Sequence, residues 1–163
     1  MRTLLVPLAS LTLAAMPASL HAQAAATAGQ PPAATAADSA AIGRAARDYI
    51  EGWYTADTTR MARALHPELA KRIVMRGPDG GARLGQMGAA QLVRGTGMGG
   101  GRDIPAADRV VDLQILDIYG DMATVRLRST QLMDYLHLAR WNGEWKIVNV
   151  LWDFQPAFRP KPR

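Results

Sequence analysis

The dipeptide Asn142-Gly143 stands between two long runs of strand-forming residues, and no other feature restricts the fold of this chain as strongly. Asn-Gly suits the two positive-φ positions of a type I′ turn, whose twist matches that of the strands it joins. The run before it reaches back to Met122 and the run after it extends to Phe154, both rich in Val, Ile, Leu, Tyr and Trp. A two-residue loop fixes strand pairing, and pairing fixes which side chains share a face. It sets Trp141 against Glu144, Ala139 against Lys146 and His137 against Val148. Further out it sets Tyr135 against Val150, Met133 against Trp152 and Gln131 against Phe154. All of these are expected on one side of the sheet. Leu132, Asp134, Leu136, Leu138 and Arg140 are expected on the other, with Trp145, Ile147, Asn149, Leu151 and Asp153.

Gly120-Asp121 joins a third run, Arg109 to Tyr119, to the second. The same logic puts Leu116 and Ile118 opposite Val125 and Ala123, on the Tyr135/His137 side, with Arg126 and Arg128 on the other beside Ile115 and Leu113. Met122 to Trp141 is too long for one straight strand. Its alternation is clean at Ala123, Val125 and Leu127, then turns apolar on both parities after Thr130, which predicts a bend or bulge near 129–131 that curls the sheet into a cone.

Helices precede the meander. Ile42, Ala46, Tyr49, Ile50 and Trp53 fall on one helical stripe, with Asp38 or Ser39 available as the cap. Asp57 caps a shorter second helix carrying Met61 and Leu65, closed by His66-Pro67, with His66 expected at its C-terminal end. Ala70 to Arg76 and Arg83 to Met87 read as a hairpin about the turn Gly77-Pro78-Asp79-Gly80-Gly81, and Ala89 to Val93 as a brief helix. Gly95 to Gly101 is expected to be a flexible loop; without a following Lys-Ser/Thr it is no phosphate cradle. The fold class is therefore α+β: a curved antiparallel sheet forming a cone, backed by two to three N-terminal helices.

The chain of 163 residues opens with Arg2, an apolar stretch from Leu4 to Met16 and the small-x-small pattern Ala22-Gln23-Ala24. These mark residues 1–24 as a secretory signal peptide, cut after Ala22 or Ala24, so a periplasmic or secreted location follows, with no membrane attachment after cleavage. Residues 25–37 hold Ala, Thr, Gly, Gln and Pro and read as a disordered spacer. The folded domain is expected over 38–155, and 156–163 is a basic tail. No cysteine is present, so stability rests on core burial alone. The formal charge of +5 does not describe the domain: four of the 19 Lys and Arg (Arg2, Arg159, Lys161, Arg163) lie in the leader or tail, leaving 15 against 14 acids. A nearly neutral body excludes a nucleic-acid groove.

The segments Asp48-Tyr49-Ile50-Glu51-Gly52-Trp53-Tyr54 and Arg63-Ala64-Leu65-His66-Pro67-Glu68-Leu69 resemble those of a known superfamily, as do Asp134-Tyr135-Leu136-His137-Leu138-Ala139 and Trp145-Lys146-Ile147-Val148-Asn149-Val150-Leu151-Trp152. In order and spacing, from Asp38 to Phe154, the chain is similar to nuclear transport factor 2-like (cystatin-like α+β cone) proteins, and within them to the putative lumazine-binding family. The resemblance implies a helix-backed cone. Function does not carry over, because isomerases, cyclases, dehydratases and non-catalytic binders share this scaffold.

The expected ligand-binding pocket is lined by Tyr49, Trp53, Gln131, Met133, Tyr135, His137 and Trp152. Aromatic walls with a few polar tips are the composition of a small-molecule site. His137, beside Tyr135, is the best candidate for a general base, with Tyr135 as donor to a developing oxyanion. Period two puts Asp134 on the opposite face, which excludes a His137–Asp134 dyad in a regular strand. No metal site is expected, since the domain's two histidines lack paired carboxylates at ligand spacing, and no cofactor is called for. Three readings follow: a small-molecule-binding protein, an isomerase-, cyclase- or dehydratase-type enzyme, or a non-catalytic dimerisation module. A sheet apolar on both faces with helices on one also implies a homodimer through the outer face.

Overall fold

A 20-residue helix, α1 (Ala36–Thr55), opens the computed structural model, which describes residues 32–160. The expected signal peptide, the first part of the expected spacer and the end of the tail lie outside the described residues. The cap of α1 is Thr35 rather than Asp38 or Ser39. Its hydroxyl accepts from the Asp38 amide at 3.1 Å and the Asp38 carboxylate accepts from the Thr35 amide at 3.1 Å, a reciprocal capping box. Ile42, Ala46, Tyr49 and Ile50 form the buried stripe, as their spacing predicts. Asp57 accepts from the Arg60 amide at 2.9 Å and starts α2 (Thr58–Ala64).

The chain enters β1 (Leu65–Arg76) directly, five residues before the expected start. His66 is therefore a strand residue rather than a helix cap: its Nδ1 accepts from the Glu68 amide at 3.1 Å and its ring stands edge-on to Trp141 at 4.8 Å. β2 (Ala82–Met87) returns antiparallel along β1, from Arg76 opposite Ala82 to Lys71 opposite Met87. Helix α3 (Ala89–Gly97) runs four residues beyond its expected end. The glycines that follow lie against an indole. The Gly101 amide donates to the Trp53 carbonyl at 3.0 Å, and a Cβ on Gly101 would sit 2.7 Å from Trp53 Nε1. Backbone approach this close is what glycine permits.

β3 (Val111–Tyr119), β4 (Met122–Ser129), β5 (Leu132–Trp141) and β6 (Glu144–Phe154) complete a six-stranded sheet in the order β2-β1-β6-β5-β4-β3. Its β1–β6 junction is parallel and every other pair antiparallel, so the curved sheet is mixed. Among the described residues no helix is long and apolar enough to cross a membrane.

Three local events reset the faces. The expected bend at 129–131 is a full reversal, so the long run is two strands, with Arg128 opposite Met133. The Ser129 hydroxyl exchanges hydrogen bonds with the Leu132 backbone, and the Tyr54 hydroxyl of α1 accepts from the Thr130 amide at 2.9 Å. This turn has no Gly, Pro or Asn; the local Ser129–Leu132 bonds and the tertiary contact from Tyr54 hold it together. Pairing across it joins odd positions to even ones, so Val125 shares a face with Leu136, not with Tyr135. A bulge at Val148 shifts the next register: Leu138 faces Ile147, but His137 faces Asn149 and Asp134 faces Trp152. A third irregularity at Leu116 pairs Ile115 with Val125 and leaves Leu116 exposed. The concave face carries Val125, Leu127, Leu136, Leu138, Ile147 and Val150, all essentially inaccessible beneath the helices.

Candidate functional site

Two ionisable side chains interrupt that apolar face. Lys71 lies opposite Val150 across the parallel junction and is only 4% exposed; Asp134, opposite Trp152, is 0% exposed. Tyr49 descends on them from α1. Lys71 Nζ donates to Asp134 Oδ1 and to the Tyr49 hydroxyl oxygen, both at 2.6 Å, and the Tyr49 hydroxyl donates to Asp134 Oδ1 at 3.0 Å. The ammonium also sits 4.7 Å from the Trp152 ring centroid and 5.4 Å from that of Tyr49. Phe154 meets the Trp152 ring edge-on at 5.0 Å.

Burial decides the protonation behaviour of this cluster. The Tyr49 phenol is pushed well above its ordinary value by burial, with the Asp134 charge and hydrogen bond adding to it. Burial pushes the Lys71 ammonium down, while Asp134 opposes the shift. An ion pair this dry is sustained by its mutual geometry. Yet one Asp134 oxygen carries everything: Oδ2 is buried without a partner among the described residues, and so is Trp152 Nε1. Buried polar atoms nearly always have partners. Here an unmet acceptor and an unmet donor belong to residues directly opposite each other on neighbouring strands.

Of the expected pocket residues, Tyr49 and Trp152 meet at this cluster. Trp53 is half-buried against the glycine loop. Gln131 belongs to the β4–β5 turn, where its carbonyl accepts from the Gln155 amide at 2.7 Å. Met133, Tyr135 and His137 are corrected to the outer face. Tyr135 and His137 are exposed, and Met133 and Tyr135 border an outer hollow of about 230 Å³ with Val74, Leu151, Asp153 and Trp152, so Trp152 touches this hollow as well as the buried cluster. His137 Nδ1 contacts Asn149 Nδ2 at 3.2 Å, and Arg72 Nη1 donates to Asn149 Oδ1 at 2.9 Å. The inner-wall pairing of His137 with Tyr135 fails because the reversal at Thr130-Gln131 exchanges the parities. Asp134, which sequence reasoning set outside, is inside for the same reason. The sequence did hold a signal for one of the two missed residues: Asp134 is a lone charge within an apolar strand, Leu132-Met133-Asp134-Tyr135-Leu136, whereas Lys71 is followed by Arg72 and does not stand out.

A curved sheet whose helix-covered face buries a polar cluster defines the class: the fold is the nuclear transport factor 2-like, cystatin-like α+β cone. More narrowly, residues 37–153 match the model described as putative lumazine-binding, and the chain belongs to that family. Solved structures agree on the fold. A nuclear transport factor 2-like protein of unknown function from Shewanella baltica shares 19% identity at a TM-score of 0.57, covering 77% of this chain and 99% of that one. One from Methylobacillus flagellatus shares 18% at 0.58, covering 78% and 99%. One from Novosphingobium aromaticivorans with a cystatin-like fold shares 14% at 0.53, covering 74% and 83%. No curated protein matches the sequence.

Proposed function

We propose that this is an exported binding protein that holds a small, partly aromatic ligand on the inner wall of the cone, against Asp134, Lys71, Tyr49 and Trp152. The observation that carries this reading is that Asp134 Oδ2 and Trp152 Nε1, on residues paired across neighbouring strands, are both buried without a partner among the described residues. Both atoms are closed off in this conformation, so ligand entry requires the Trp152 end of the cone to open. A flat heterocycle with an N–H beside a C=O on one edge supplies the donor that Oδ2 lacks and the acceptor that Nε1 lacks. A pteridinedione such as lumazine has that edge, and the family description points to the same chemistry. The inner-face residues around Trp152 at this end, Ile73, Leu132 and Phe154, are half-buried and offer an apolar approach.

Export rests on the leader sequence. A homodimer is supported by the outer face, where Val74, Tyr135 and Leu151 are each more than 40% exposed. An enzyme using His137 as base needs that imidazole inside the cone, and it lies on the opposite face.

Thermal shift against lumazine, a flavin and a non-aromatic control tests the reading. A ligand bound only by the native state raises the melting temperature. The rise is expected for ring compounds and is lost in Asp134→Leu/Lys71→Met. The proposal fails if no ring compound shifts the wild-type protein and gentle purification from the native source retains no small molecule.

A further inference from the structure

A second hollow lies outside the cone, between α1, α2 and the β5–β6 hairpin. Its volume is about 560 Å³, more than twice that of the outer-face hollow. Arg44, Arg47, Arg60, Arg63 and Lys146 line it, against the carboxylates of Asp48 and Glu144 alone. Ala41, Ala45 and Trp145 add apolar wall. Glu144 pairs with Lys146 at 2.7 Å, and Glu51, just outside the lining, pairs with Arg60 and, at 4.0 Å, with Arg47. Five cations against these three carboxylates leave an excess of two positive charges on a concave, partly apolar surface, which focuses a positive potential into the groove.

The arrangement of the arginines says more than the charge excess. Asp48 stands between two of them and takes both by the same atom: Arg60 Nε at 2.7 Å and Arg63 Nε at 2.8 Å. A guanidinium held at Nε keeps its planar Nη fork for something else. One Nη of Arg60 goes to Glu51. The Nη atoms of Arg63 have no hydrogen-bond partner among the described residues, and Arg44 has no ion-pair partner there. Lys146 Nζ donates to the Arg63 carbonyl at 2.9 Å and so ties the end of α2 to the hairpin. Asp48 stays ionised to low pH because Arg63, then Arg60, hold its carboxyl below the usual range. The carboxylate therefore acts as a clamp that removes rotamer freedom from two long side chains before any ligand arrives. Pre-organised forks of this kind bind oxyanions bidentately with less ordering entropy to lose.

We infer that this groove is a second binding site, for a small organic anion with closely spaced oxyanions, taken by the Arg63 fork with Arg44, Arg47 and Lys146 around it. Phosphate esters and polycarboxylates share that chemistry. The site is separate from the cone and does not depend on the reading given for it.

Titration calorimetry at physiological ionic strength, with pyrophosphate in one arm and citrate in the other, tests the site. One-to-one saturable binding is expected in at least one arm, and the arm that binds names the source. Arg44→Gln/Arg63→Gln is expected to weaken it about tenfold or more, the loss of charge-assisted contacts. Arg76→Gln/Arg83→Gln, an equal charge change at exposed positions on the β1–β2 hairpin, is expected to leave affinity within about twofold. Arg44→Gln alone, at an exposed position of α1, gives a severalfold loss without touching the Asp48 clamp. Absence of saturable binding in both arms overturns the inference. Equal weakening by the two double variants does so too, since it reduces the effect to net charge.

Discussion

Replacing Lys71 by Met strips a buried carboxylate of its cation, and the structure sets the size of the penalty. At the 2.6 Å separation of Nζ and Asp134 Oδ1, the attraction is on the order of 6 kcal/mol for an effective dielectric of 20. Desolvating each ion opposes this by several kcal/mol, so the intact pair gains little over a well-packed apolar pair. The broken pair is a different matter. Asp134 has no exposed surface through which to recover water, and leaving it unpaired costs about 3–5 kcal/mol. In a domain of this size that is a fall of roughly 10–20 °C in melting temperature. Adding Asp134→Leu removes the stranded charge and recovers most of the loss. It leaves the Tyr49 hydroxyl buried without its partners, an unmet group worth about 1–3 kcal/mol. Adding Tyr49→Phe removes that as well. Urea denaturation followed by circular dichroism should therefore rank the single variant lowest, the double above it and the triple near wild type. A single variant that loses less than about 1 kcal/mol, or a triple no more stable than the single, refutes the reasoning.

Other expectations follow from particular contacts. Gly43→Ala adds a Cβ with nothing within 4 Å in a helix interior and should stabilise by about 0.5–1 kcal/mol. Gly100→Ala should destabilise by about 2 kcal/mol or more, because φ is +52° and its Cβ would meet the Trp53 carbonyl at 2.7 Å; chemical denaturation measures both. The Asp38 carboxyl is held well below the carboxylate range by Arg140 first and by Thr35 next. Its contribution is present above the unfolded value near 4 and is lost as pH falls through the folded value, so Asp38→Asn should flatten the acid limb of stability against pH. The proposed homodimer predicts a dimeric mass by light scattering that Leu151→Glu on the outer face halves; a monomeric wild type refutes the dimer, and an unchanged dimer in the variant refutes its placement on this face. His137→Gln should leave any ring-compound thermal shift intact, since the imidazole is exposed on the far side of the sheet.

How far the sequence could be read depended on whether a feature was local. Turns written in their own residues were legible: Asn142-Gly143 closes β5 onto β6, with Trp141 opposite Glu144, and the turn around Pro78-Asp79 returns β2 along β1. The α1 stripe and the Asp57 cap were legible on the same terms, because helical spacing and a capping side chain are properties of a few consecutive residues. The helix-backed α+β cone follows from these pieces.

The candidate site was not local. Which side of β5 faces the helices depends on a reversal at Thr130-Gln131 that Tyr54 holds from 76 residues away, and on one extra residue at Val148. Because side chains alternate with period two, each such event exchanges a whole face of the strand. The chain alone thus determined that a sheet, its helices and an inner wall would exist. The tertiary structure decided that Asp134 and Lys71 would stand on that wall and His137 outside it, since a parity is set by where the turn is pinned, and Tyr54 shares that task with the local Ser129–Leu132 bonds.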